Sequence, residues 1–327
     1  MNIHMLHEES YEEEMKTIVE PWLREHQIER WPEREFGQRI HCVSYRAEKA
    51  RGILLISHGF SENAEKYREI AYYFVQMRYH VFIPEHCGHG LSYRLTDDLS
   101  LVHIDRFERY VDDLQHVAER IRQRYPSLPL YLFGHSMGGG IAAALCARDP
   151  WLLDRLILSA PMIRPSTGKC PWILAEASAR LGCMKGKGQQ YLPDGHPYEE
   201  RSSFESSGAA SAARFDYFEE IRFQQDFYHT CSASYGWLRE AARLHHSLQA
   251  KAWRRISIPV LVFQAEEEQW VSSKEIELFA RKIAGRKKTG IRLVRVPDSR
   301  HEIYLSRDRI LRRYLRRISD FISEEQQ

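Results

Sequence analysis

The sequence predicts an α/β protein: an eight-stranded, mostly parallel sheet flanked by helices, with one helical insertion. Three observations carry that expectation. Short aliphatic and β-branched runs alternate with longer stretches whose apolar residues recur at helical spacing. The alternation breaks once, between Pro165 and about Lys251. The composition is that of a globular chain, with 43% hydrophobic and 28% charged residues over 327 positions, far from the signature of disorder.

Strands are expected near 30–35, 39–46, 52–57, 80–84, 130–134, 155–160, 259–264 and 291–296, where runs such as Gly52-Ile-Leu-Leu-Ile56 and Leu156-Ile-Leu158 suit strands buried on both faces. Helices are expected near 62–78, 105–125, 137–148, 273–284 and 305–324. Residues 166–251 offer no convincing strand but are dense in aromatics, and Gly186 to Gly195 and Ser202 to Ser211 are rich in Gly and Ser, as connections are. The chain therefore divides into a core, 1–165 and 252–327, and a helical lid, 166–251.

Charge narrows the function classes. Lys+Arg 47 against Asp+Glu 45 leaves a net charge of +2, without the basic excess that draws proteins onto phosphate backbones, so no nucleic-acid partner is expected. The distribution is uneven: fourteen Lys/Arg and three acids lie between Arg281 and Arg317. Arg307, Arg309, Arg312, Arg313, Arg316 and Arg317 recur at helical spacing with Ile310, Leu311, Tyr314 and Leu315 turned elsewhere. The solvated face of a packed helix is the favoured reading, and peripheral contact with an anionic membrane is the other. No apolar run approaches the ~20 residues that span a bilayer. The N-terminus lacks the basic start and apolar core of a secretory signal. Six cysteines without a Cys-x-x-Cys pair are read as reduced thiols. A cytoplasmic protein is expected, at most peripheral to the inner face of the membrane.

The chemistry-bearing motif is Gly134-His135-Ser136-Met137-Gly138, directly after a strand pattern and directly before a helical one. A serine on such a turn needs small residues two before and two after it, which Gly134 and Gly138 provide, and it then stands at a helix N-terminus that favours developing negative charge. A serine hydroxyl needs a base, and the tetrahedral intermediate needs donors. The backbone N–H groups of Phe60, in His58-Gly59-Phe60-Ser61, and of Met137 are the expected oxyanion donors; Gly59 permits the turn and His58 shapes the loop. His301, on a loop after the last strand, is the expected base. Ala265-Glu266-Glu267-Glu268 follows the preceding strand, and an acid there should orient the histidine. Spacing alone does not separate the three glutamates. The order serine, acid, histidine is the one used by α/β-hydrolases. His86 and His89 have metal-like spacing, but no metal site and no cofactor are expected.

Several further segments, His58-Gly-Phe-Ser-Glu-Asn63, Gly88-His-Gly-Leu-Ser92, Leu158-Ser-Ala-Pro-Met162 and Ser299-Arg-His-Glu302, make the whole chain resemble α/β-hydrolase serine hydrolases of the monoacylglycerol lipase and lysophospholipase L2 group. Gln264-Ala-Glu-Glu-Glu268 and Ser234-Tyr-Gly-Trp-Leu-Arg-Glu-Ala241 look more like bacterial lysophospholipase L2. The resemblance aligns Glu268 with the family's acid, where Ala265 and Glu268 replace Gly and Asp. It implies hydrolysis of the single acyl ester of a lysophospholipid to a fatty acid and a glycerophospho-alcohol. It also points to Tyr235 and Trp237 in the lid as substrate contacts. The rivals are a monoacylglycerol lipase or general carboxylesterase, a proline iminopeptidase-type aminopeptidase, and a non-catalytic receptor of the same fold. The last predicts a missing triad member, and none is missing.

Overall fold

The computed structural model describes residues 3–286 and 290–324. In chain order its strands are β1 (Gln27–Arg30), β2 (Cys42–Tyr45), β3 (Gly52–Ser57), β4 (Tyr79–Pro84), β5 (Leu101–Val102), β6 (Leu130–His135), β7 (Arg155–Ser159), β8 (Ser232–Ala233), β9 (Val260–Glu267) and β10 (Ile291–Arg300). Eight of them form one sheet in the order β1-β2-β4-β3-β6-β7-β9-β10, while β5 and β8 pair separately. From β4 to β10 the neighbours are parallel; β1 and β2 add an antiparallel edge.

The helices are α1 (Tyr11–Glu14), α2 (Glu20–His26), α3 (Arg68–Gln76), α4 (Glu108–Arg124), α5 (Met137–Arg148), α6 (Trp172–Met184), α7 (Ala212–Phe223), α8 (Tyr235–Ala250), α9 (Ser273–Ala284) and α10 (Asp308–Ser323). They cover both faces of the sheet, which is why the inner strands read as unbroken aliphatic runs. The period of two then sorts each run: Ile53 and Leu55 join the core under α4, α5 and α9, while Leu54 and Ile56 join the core under α3, α10 and the N-terminal helices. Helix α10 buries Ile310, Leu311, Tyr314, Leu315, Ile318, Phe321 and Ile322, and its six arginines from Arg307 to Arg317 are exposed.

The elements depart from those expected in three places. The first strand lies at Gln27–Arg30 rather than 30–35, paired with Cys42–Tyr45, and ends where Pro32, lacking an N–H, cannot continue a ladder. The acidic N-terminus is helical, through α1, a π-helical turn at Met15–Val19 and α2, and buries Tyr11, Met15, Val19 and Leu23 at a spacing of four. The segment expected to lack strands contains β8, which pairs with β5. Among the described residues no helix is long and apolar enough to cross a membrane.

Candidate active site

Ser136 stands between β6 and α5 with φ +50° and ψ −120°, a backbone state that only a tightly packed turn sustains. Its carbonyl accepts the N–H groups of Gly139, Gly140 and Met162, and its own N–H donates to Ser159. The flanking glycines are required by space. A Cβ on Gly134 would lie 2.6 Å from the Gly138 carbonyl oxygen, and one on Gly138 would lie 2.1 Å from that of Ser57 and 2.4 Å from that of His58. The N-terminus of α5 is thus pressed directly onto the backbone leading to Gly59 and Phe60, bringing the segments that carry the Met137 and Phe60 amides together.

His301 follows β10 and is 6% exposed. Its Nε2 lies 2.9 Å from Ser136 Oγ and its Nδ1 lies 2.8 Å from Glu268 Oε2. With Nδ1–H donating to the carboxylate, Nε2 is left to accept the serine proton. The other oxygen of Glu268 accepts the backbone N–H groups of Trp270 (2.8 Å) and Val271 (3.1 Å), so the carboxylate is held at both ends. Its loop is pinned to the start of the 166–251 segment, where Ser166 N–H donates to Trp270 and Ser272 N–H to Arg164. The neighbouring acids face elsewhere: Glu266 accepts the Asp298 N–H at 2.8 Å, and Glu267 lies 3.5 Å from Arg300. Of the three glutamates that spacing left open, Glu268 is the one against His301.

His58 is fully buried. Its Nδ1 is 2.8 Å from the Gly59 carbonyl and its Nε2 accepts the His86 N–H at 2.9 Å. His86 and His89 pack their rings against His58 at 4.5 and 5.2 Å, and His86 Nε2 bonds Ser57 Oγ. Burial holds all three imidazoles below their ordinary pKa, hence neutral. Among the described residues no group of three His, Cys, Asp or Glu side chains is arranged to hold a metal ion.

A cavity of about 620 Å³ opens onto Ser136 and His301. Its lining includes apolar Met162, Leu192, Trp237, Leu238 and Val271 and polar Ser202, Arg222 and Glu302. Trp237 stacks edge-on against Phe60 at 4.7 Å. Tyr235 is not on this wall: its ring packs on α6, where a Cβ on Gly182 would lie 2.5 Å from Cδ1, so the expected substrate contact is a helix–helix contact instead.

Sequence reasoning passed over Glu62, which is 3% exposed. Its Oε2 accepts the Gly59 N–H at 2.5 Å and the Tyr67 hydroxyl at 2.6 Å, and its Oε1 accepts the Tyr304 hydroxyl at 2.6 Å. Lys66 Nζ and His135 Nε2 stand 3.5 and 3.6 Å away. Burial pushes His135 down to about 3 despite that carboxylate. The signal available in the sequence was an acid three residues past the glycine of the oxyanion turn.

A parallel sheet with a strained serine elbow between strand and helix, and a histidine on the loop after the last strand, defines the α/β-hydrolase class. Residues 48–308 match the family described as serine aminopeptidase, S33, and the chain belongs to that family. Within it the chain belongs with the lysophospholipase L2 group: it is 31% identical over 297 residues to lysophospholipase L2 of Escherichia coli K12, covering 87% of this chain and 84% of that protein. Human monoglyceride lipase is 34% identical over 128 residues, 39% of this chain and 41% of that one. A soluble variant of monoglyceride lipase from Saccharomyces cerevisiae, solved with a substrate analog, shares the fold with a TM-score of 0.73 at 16% identity, over 91% of this chain and 95% of that one.

Proposed function

We propose that this carboxylic ester hydrolase cleaves the acyl ester of a lysophospholipid through an acyl-enzyme on Ser136. His301 takes the Ser136 proton as Oγ attacks the acyl carbonyl, Glu268 stabilises the imidazolium, and the N–H groups of Phe60 and Met137 receive the oxyanion. The imidazolium then protonates the leaving glycerophospho-alcohol. A water deprotonated by His301 attacks the acyl-enzyme and frees the fatty acid. These steps need only the named groups and water.

The observation that carries the reading is the unbroken chain Glu268–His301–Ser136, at 2.8 and 2.9 Å, opening onto a cavity lined by both apolar and polar side chains. Such a cavity suits a substrate with one acyl chain and a polar head, each buried methylene contributing about 0.8 kcal/mol. The relatives, named lysophospholipase L2 and monoglyceride lipase, point to a lipid ester.

Residues 166–251 act as the lid in this reading, and we assign peripheral membrane contact to α6 rather than to α10. Ile173, Leu174, Leu181 and Met184 on α6 are 78%, 59%, 54% and 82% exposed, and exposed Lys169, Lys185 and Lys187 flank them. Ala175 and Ser178 of the same helix line the cavity. An apolar stripe rimmed by cations suits an anionic lipid surface, whereas α10 presents charge without exposed apolar side chains.

Fatty-acid release from lysophosphatidylethanolamine, lysophosphatidylcholine and monoacylglycerol, with aminoacyl-naphthylamides alongside, tests the substrate. The lysophospholipids should be cleaved fastest. Far faster release from monoacylglycerol, or naphthylamide cleavage alone, would reassign it.

A further inference from the structure

We propose that Glu62 is a positioning residue: its buried carboxylate ties the Gly59–Phe60 turn to the loop carrying His301 and so keeps the oxyanion donors in register with the base. The inference rests on the ester-hydrolase reading of the site and adds a residue that none of the proposed chemical steps uses.

The geometry is that of a clamp between two loops that no strand pairing joins directly. One carboxylate oxygen takes the Gly59 N–H, whose peptide immediately precedes Phe60; the other takes the hydroxyl of Tyr304, three residues beyond His301. Tyr67 bonds the same oxygen as Gly59 and stacks on Tyr304, with ring centroids 4.9 Å apart. His135, next to Ser136, completes the enclosure: its ring lies 4.8 Å from that of His301 and 5.1 Å from that of Tyr304. Lys66, within reach of Glu62, is also bonded to Glu302, the residue after His301. The nucleophile turn, the oxyanion turn and the base loop thus meet around one carboxylate.

A neutral amide changes the arrangement. The carboxylate accepts all three short hydrogen bonds, whereas a glutamine whose oxygen takes Gly59 and Tyr67 turns its NH₂ to Tyr304, forcing that hydroxyl to accept, and removes the negative charge beside Lys66. Burial opposes the ionised form, yet Lys66 and the Tyr304 and Tyr67 hydroxyls favour it and Glu62 is held below the usual carboxylate range, so the clamp is charged at neutral pH. An oxyanion donor moved by a fraction of an ångström loses much of its effect on the transition state while substrate binding is little changed.

The test is Glu62→Gln in the full chain, assayed with a p-nitrophenyl ester and with a trifluoromethyl ketone that forms a tetrahedral adduct. The expected result is a fall in kcat of about tenfold to a hundredfold, KM within about twofold, and ketone affinity weakened in step with kcat/KM. Unchanged kcat and ketone affinity, whatever happens to the melting temperature, would reduce Glu62 to a structural acid. If Glu62→Gln does not fold, Tyr304→Phe and Tyr67→Phe each delete one hydroxyl from the clamp. At least one should lower kcat at constant KM, and wild-type kcat in both would overturn the proposal. Wild-type protein inert toward esters would instead defeat the hydrolase reading itself.

Discussion

At the scale of single residues, the run Glu266-Glu267-Glu268 shows what composition hides. Three identical side chains in sequence point in three directions because β9 ends at Glu267, and Glu268 lies just beyond it, where the backbone N–H groups of Trp270 and Val271 catch one of its oxygens. A glutamine at 268 can keep those two bonds through its carbonyl, but its NH₂ then faces His301 Nδ1 and favours the tautomer with the proton on Nε2, where the imidazole cannot accept from Ser136. We expect Glu268→Gln to lower kcat by roughly 10²- to 10⁴-fold, with Glu266→Gln and Glu267→Gln within about twofold of wild type. Steady-state kinetics on the three variants checks this; comparable losses in all three would remove Glu268 from its role. The serine elbow and the histidine were legible because each belongs to a motif with a steric or positional reason. Glu62 was not, since its role depends on Tyr304, which the fold brings close from 242 positions away.

At the scale of elements, the sheet was readable because parallel strands buried on both faces leave long aliphatic runs, and the helices because their apolar faces recur every three to four residues. The two-residue pairing of β5 with β8 left no such trace, since Leu101–Val102 and Ser232–Ala233 are too short to show a period. The N-terminal helices were obscured by their acids, although Tyr11, Met15, Val19 and Leu23 mark a stripe. The 166–251 segment is itself uneven in its anchoring. Helix α7 is locked to the core by Arg214, whose fully buried guanidinium pairs with Glu69 at 3.0 Å and Asp308 at 2.9 Å. Helix α6 is bracketed instead by Gly168 and Gly186, both at positive φ with open space around them. The outer face of α6 is therefore the place to test lipid contact. Met184→Asp combined with Leu181→Asp should abolish co-sedimentation with vesicles containing phosphatidylglycerol and leave hydrolysis of a soluble short-chain ester unchanged. Arg312→Glu with Arg316→Glu on α10 should leave co-sedimentation intact, and the opposite pattern would move the contact to α10.

For the whole molecule, the buried histidines set an acid limit on stability. His58, His86, His89 and His135 all have folded-state pKa values lowered by burial, His135 to about 3. Below the unfolded value near 6.5 the unfolded chain binds protons that the native one refuses, so stability falls as pH drops from there toward the folded values. The slope is up to about 1.4 kcal/mol per pH unit for each such proton. His41 acts in the opposite sense, its pKa raised against burial by Glu85, but it is one against eight, since burial also lowers His80, His103, His116 and His245. The melting temperature should therefore decline between pH 7 and pH 5, before most carboxylates titrate; a flat or rising profile would mean that these imidazoles are charged in the native state. The proposed chemistry makes Ser136 a nucleophile activated by His301. Treating the protein with a fluorophosphonate and mapping the adduct by peptide mass spectrometry tests this activation. One phosphonylated serine, Ser136, is expected in the wild type, with a rate of modification reduced at least about a hundredfold in His301→Ala. An adduct on a different serine, or equal rates in the two proteins, would contradict it.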